Sequence, residues 1–175
     1  KKYILNNLQK EWTDLSIQTA DLCDEYIDEL KISKQAFQSF GGRRAFSGII
    51  STVKVFEDNV LVKDALETIP EGHVLVVDGG GSRNRALMGD RLADIAVKRN
   101  LAGVIIYGCV RDTKDLKEMD LGVMALGSFP QKSRKEGKGE KEIPVTFGEV
   151  EWKPGHYVYA DEDGIVIAER NLIKS

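Results

Sequence analysis

Two short, continuous apolar runs, His73 to Val77 and Val104 to Tyr107, limit the fold more than anything else in this chain. A strand that is apolar on both faces must be covered on both faces, as in a parallel sheet, and parallel neighbours need a long crossover. The residues between the runs supply one. Gly79, Gly80, Gly81 and Ser82 read as a loop, and Asp90 to Asn100 places Leu92, Ile95 and Ala96 on one helical face. Gly89 would cost about 1 kcal/mol inside a helix, so the helix is expected to start there, with Asp90 complementing its dipole. Ala86 to Met88 is expected to form a separate short turn. The chain therefore reads as mixed α/β.

The flanks add further elements. Ile4, Leu8 and Trp12 recur every four positions and predict a helix; Thr19 is a candidate cap for a second, short one holding Leu22 and Tyr26. Gly41 and Gly42 break that pattern. Ser47 to Phe56 reads as a strand, Asp58 as the cap of a helix with Leu61, Ala65 and Leu66 on one face, and Pro70 as its stop. A short helix is expected after Thr113, a strand over Gly122 to Leu126, and two strands in Tyr157 to Glu169 joined by Asp161 to Gly164. With 175 residues, 42% of them hydrophobic, one domain spanning 1–175 is expected. Gln131 to Glu142 holds five basic and three acidic side chains, two glycines and no apolar residue. It reads as a solvated loop or flap; the alternative is that its lysines gather an anionic ligand or contact a partner.

A net charge of −3 opposes binding to phosphate backbones, so direct nucleic-acid binding is not expected, and a small anion would need a locally positive pocket. Cys23 and Cys109 form no disulfide scaffold and fit a reducing cytoplasm. No apolar run approaches the roughly 20 residues that span a bilayer, and Lys1 to Trp12 lacks a signal-peptide core, so a soluble, unexported protein is expected.

Few residues carry chemistry. The glycines after Asp78 expose backbone N–H groups suited to a carboxylate or phosphate, or simply make a tight turn. A dinucleotide fingerprint would need a third glycine where Asn84 stands, and an S-adenosylmethionine loop would need an acidic residue closing the next strand, where Gly108 stands. Arg111 and Asp112 follow a buried strand, where α/β folds place ligand groups; arginine offers a fork to a carboxylate and aspartate an oxygen to a hard cation. His73 and His156 lack other ligands at zinc-site spacing and read as structural, and Asp161 to Gly164 reads as a hairpin turn rather than a calcium loop. No G-x-S-x-G motif is present and neither cysteine has a histidine near it in sequence.

Val77-Asp78-Gly79-Gly80-Gly81-Ser82, Arg85-Ala86-Leu87, Gly89-Asp90 and Tyr107-Gly108-Cys109-Val110-Arg111-Asp112 together resemble the RraA-like group of class II pyruvate aldolases. The likeness runs from Ala20-Asp21-Leu22-Cys23-Asp24 through Gly41-Gly42 to Tyr159-Ala160-Asp161 and Gly164-Ile165-Val166. It implies a single domain with a swivelling β/β/α sandwich. It also implies one of two functions: metal-dependent cleavage of 4-hydroxy-4-methyl-2-oxoglutarate with oxaloacetate decarboxylation, or noncatalytic binding of ribonuclease E. The catalytic branch carries an acid, twenty positions, Arg-Asp and a further acid three residues on, which Asp90, Arg111, Asp112 and Asp115 match, so the aldolase is the reading taken. The resemblance implies that Asp112 holds Mg²⁺ or Mn²⁺, partly through water, and that Arg111 grips a pyruvyl group. Gly89, Asp90, Arg91 and Leu92 would bind its carboxylate through helix-start N–H groups, and Asp90 would orient a water or proton carrier. A homotrimer with interfacial sites is implied as well. Long aldolases borrow an acid from a neighbour's C-terminal extension; this chain ends at Ser175, so oxaloacetate decarboxylation is the safer expected activity.

Overall fold

A computed structural model describes residues 17–173; the helix expected from Ile4, Leu8 and Trp12 lies outside them. In chain order the elements are α1 (Thr19–Tyr26), β1 (Leu30–Ile32), β2 (Gln38–Ser39), β3 (Phe46–Lys54), α2 (Val60–Thr68), β4 (Val74–Asp78), β5 (Ala86–Met88), α3 (Asp90–Lys98), β6 (Gly103–Val110), α4 (Thr113–Leu116), β7 (Gly122–Ser128), β8 (Glu140–Lys141), β9 (Val145–Phe147), β10 (Val150–Trp152), β11 (Tyr157–Ala160) and β12 (Ile165–Ala168). None of the described helices is long and apolar enough to cross a membrane.

Strand β3 joins two sheets. Phe46 to Ile49 pairs antiparallel with β11, and Ile50 to Lys54 pairs parallel with β4, giving the order β1-β12-β11-β3-β4-β6-β7-β2. The two halves pack face to face with helices outside, a β/β/α layering. Every residue of β4 is buried, as its apolar run predicts. Val74 and Val76 face a core with Phe46, Trp152 and Ile167 from the antiparallel layer, while Leu75 and Val77 face Val62, Leu66, Ala93 and Ala96 of α2 and α3. A third cluster packs Leu22 of α1 against Leu30, Tyr159 and Val166.

Two local expectations are corrected. Ala86 to Met88 is a strand rather than a turn, fully buried and paired parallel with β6, because a neighbouring strand supplies the hydrogen bonds that three residues cannot specify alone. Thr19 is the first helical residue and not a cap; its N–H and hydroxyl donate to the Asp161 carboxylate at 2.8 and 2.6 Å. In α3 the expected inward face holds: Ala96 is buried and Leu92 and Ile95 pack against the core, joined by fully buried Ala93, because small residues let this helix sit close to the sheet.

Phe46 occupies the space left by two glycines, Gly103 of β6 and Gly122 of β7: a Cβ on either would land on its ring. Gly122→Ala is expected to destabilise the fold by about 1–3 kcal/mol through overpacking, measured as a lowered urea midpoint. At the same end of β4, the His73 Nδ1 lies 2.9 Å from the Ser51 Oγ. Burial pulls the His73 pKa below its ordinary value, against a smaller upward pull from Glu142. A depressed imidazole favours the folded state fully above the unfolded value near 6.5, and that contribution is lost as pH falls below it towards the folded pKa. Stability measured against pH is therefore expected to fall less below about pH 6.5 in His73→Gln than in the parent chain.

Candidate functional site

Two turns face one another at the carboxyl ends of parallel strands, the usual crevice of such sheets. After β5 the chain turns at Gly89 into α3; after β6 it turns at Arg111 and Asp112 into α4. The Arg111 N–H donates to the Met88 carbonyl at 3.0 Å, continuing the ladder to the edge and bringing the turns together. Asp112 adopts left-handed backbone angles, φ 57° and ψ 40°, a conformation an aspartate tolerates better than most residues. Its Oδ2 accepts the Asp90 N–H at 3.0 Å, leaving Oδ1 without a hydrogen-bond donor among the described residues. A Cβ at position 89 would land on this carboxylate, so the glycine is what lets the carboxylate approach this closely.

These groups line one open pocket of 630 Å³. Gly89, Asp90, Arg91 and Leu92 form one wall, and Arg111 and Asp112 another. The Arg91 and Leu92 N–H groups belong to a first helical turn and have no intrahelical acceptor, whereas the Asp90 N–H is already committed to Asp112. Arg111 is half-buried, its Nη1 3.4 Å from the Pro130 carbonyl. Asp115 is exposed and does not line the pocket.

The remaining wall, Asn59, Ala86, Lys132, Ser133 and Lys135, includes residues that no sequence motif singles out. The charged segment is a fastened strap here rather than a free flap. Ser133 Oγ donates to the Ala86 carbonyl at 2.7 Å, the Ala86 N–H to the Gln131 carbonyl at 2.8 Å, and Lys135 Nζ to Asn59 Oδ1 at 2.6 Å. Buried Asp58 holds the next turn by accepting from the Glu136 and Gly137 N–H groups. Burial alone would raise the Asp58 pKa, but backbone donors from Val60, Glu136, Gly137 and Lys138 outweigh it and lower the pKa. Partners 47 to 78 residues apart in the side-chain contacts explain why the spacing offered no signal. With Arg91, Arg111, Lys132 and Lys135 against Asp90 and Asp112, the lining has four cations to two acids, a positive pocket on a negative chain.

The glycine loop is not part of it. The Gly79 and Gly81 N–H groups donate to the Tyr107 carbonyl at 3.0 and 3.1 Å, and Gly80 donates to Asp78 Oδ1 at 2.9 Å. The donors offered by the sequence are consumed internally, and the loop acts as a tight turn. Cys109 is buried, and burial pushes its thiol pKa up, away from a nucleophilic thiolate.

The RraA-like family model (Aldolase/RraA) matches residues 19–167. The chain belongs to the RraA-like family. Among RraA-like relatives, a Bacillus anthracis protein provisionally named 4-hydroxy-4-methyl-2-oxoglutarate aldolase is 57% identical over 89% of this chain and 98% of its own. The RNA-processing inhibitor RraA of Thermus thermophilus superposes with a TM-score of 0.85 at 45% identity, covering 90% of this chain and 97% of that one. A Geobacillus kaustophilus structure described as an S-adenosylmethionine:2-dimethylmenaquinone methyltransferase has a TM-score of 0.89 at 60% identity, covering 89% and 97%.

Gly89→Ala in this RraA-like protein is expected to fold but to displace the Asp112 carboxylate. The Asp90 amide resonance in a ¹⁵N spectrum would then move towards its position in Asp112→Ala; an unmoved resonance would show that the close approach does not hold Asp112.

Proposed function

We propose that this protein is a divalent-metal-dependent aldolase that cleaves 4-hydroxy-4-methyl-2-oxoglutarate to pyruvate and decarboxylates oxaloacetate. The observation that carries the reading is the convergence of Arg111, Asp112 and the start of α3 on one positive pocket. Asp112 fits the role of a hard-cation ligand: it is exposed, it is an oxygen donor, and its Oδ1 is free of hydrogen bonds from the described residues. No three His, Cys, Asp or Glu side chains converge among the described residues, so this one carboxylate would hold Mg²⁺ or Mn²⁺ with water and substrate completing the shell, as Mg²⁺ tolerates. When bound, the cation supplies Lewis-acid charge beside the keto oxygen.

The chain's own groups do the rest. The Arg91 and Leu92 N–H groups, at the positive end of α3, bind the carboxylate of the pyruvyl end. The Arg111 guanidinium grips the keto oxygen and stabilises the negative charge that grows there when the carbon–carbon bond breaks. Carbon–carbon cleavage and loss of carbon dioxide from oxaloacetate both leave pyruvate enolate, so one site serves both reactions. Asp90, half-buried beside Asp112, orients the water that carries the proton. A homotrimer working in the cytoplasm completes the proposal.

The name of the Thermus relative, an RNA-processing inhibitor, supports a second reading, a noncatalytic regulator, for which the family resemblance implies ribonuclease E as the partner. Asp112→Ala separates the two: it abolishes metal-dependent turnover in an aldolase and leaves partner affinity intact in a regulator. For the methyltransferase reading, the Gly79–Ser82 loop has its glycine N–H groups consumed and no acid closes β6 at Val110. Calorimetry with S-adenosylmethionine is expected to show no binding.

Purified protein with Mg²⁺ is expected to form pyruvate from oxaloacetate above the metal-only background, and EDTA should abolish this. Arg111→Ala should lower kcat by roughly 100-fold or more, as removal of one charge-stabilising donor does elsewhere. Background-level pyruvate from folded protein would favour the regulator.

A further inference from the structure

We propose that Lys135, with Lys132 beside it, forms a subsite for a second carboxylate. The pocket would then select 2-oxo dicarboxylic acids over 2-oxo monocarboxylic acids. This specificity rests on the aldolase reading of the same pocket, which assigns the pyruvyl end to Arg111 and α3 and leaves the strap wall without a task.

Three observations carry it. The first is position: Lys132 and Lys135 line the same pocket as Arg111 and Asp112, but come from the strap and not from the turns after β5 and β6. The second is availability. Neither ammonium pairs with a carboxylate among the described residues, whereas Lys138 and Lys141 of the same segment each do. Lys135 spends one of its three N–H donors on Asn59 and keeps two.

The third is preorganisation. Asn59 is buried, and its amide is used at both ends, Nδ2 donating to the Leu87 carbonyl at 3.2 Å and Oδ1 accepting from Lys135. Backbone hydrogen bonds pin the residues on either side of Lys135. The Arg134 N–H donates to the Glu57 carbonyl at 2.8 Å, and the Glu136 N–H to Asp58 at 2.7 Å. A lysine held this way loses less entropy when it captures a ligand than one on a free loop. Asn59 is thus a positioning residue for Lys135.

The test compares two ligands that differ only at the distal end: 2-oxoglutarate, with a carboxylate, and 2-oxopentanoate, with a methyl group. Dissociation constants are measured by calorimetry with Mg²⁺ present, for the parent chain and for Lys135→Gln, Lys132→Gln and Lys135→Arg. Glutamine keeps a donor for Asn59 and removes the charge. The parent chain is expected to prefer 2-oxoglutarate by roughly 10- to 100-fold, the scale of hydrogen bonding to a charged group. Lys135→Gln should bring the ratio of the two constants to within about threefold of one, Lys132→Gln should lower it less, and Lys135→Arg should restore much of it.

A ratio unchanged in Lys135→Gln, or affinities for both ligands that fall by one factor, would overturn the subsite. So would a parent chain that binds neither ligand. Lysine-dependent selectivity without pyruvate formation from oxaloacetate would keep the subsite and remove the aldolase; pyruvate formation without selectivity would do the reverse.

Discussion

The parallel pairing of β5 with β6 is the constraint on which the site depends. Both strands end at the same edge, and the hydrogen bond from Arg111 to Met88 carries the ladder one step past the last paired residues. Because the strands run in the same direction, the turns that follow them lie side by side, and Gly89 and Asp112 meet although 22 residues separate them. The contact requires a missing side chain on one turn and left-handed backbone angles on the other. Strain of this kind persists where the surrounding structure overdetermines it, and here the strand ladder and the buried Leu116 of α4 do so.

The same layer arrangement explains how a negatively charged chain makes a positive pocket. Local charge depends on which side chains the sheet edge collects, not on the total. Two arginines come from the turns and two lysines from a solvent-exposed strap that hydrogen bonds fasten beside them. Asp58 is central to that difference. It takes no part in lining the pocket, yet its buried carboxylate accepts backbone N–H groups from both the start of α2 and the strap, and so fixes one wall from behind. Its lowered pKa reports the strength of those donors over the cost of burial.

Much of the frame was legible because burial writes a period into the sequence. The apolar runs at His73 to Val77 and Val104 to Tyr107 correspond to β4 and β6, and Asp161 to Gly164 does turn between β11 and β12. Arg111, Asp112 and the residues from Gly89 to Leu92 were singled out by a motif resemblance, and the structure brings them into one pocket. The glycine loop was harder to read, because the sequence shows N–H groups but not the Tyr107 carbonyl that occupies two of them.

The sequence by itself determined the alternation of buried strands and amphipathic helices, and hence a mixed α/β chain with a parallel centre, since hydrophobic periodicity is a local property. Only the tertiary structure decided that Ala86 to Met88 pairs as a strand, that Asn59 hydrogen-bonds Lys135, and that the charged, solvent-exposed strap is fastened along one side of a pocket. Each of these rests on partners between roughly 20 and 80 residues away, and a contact between distant residues leaves no period in either of them.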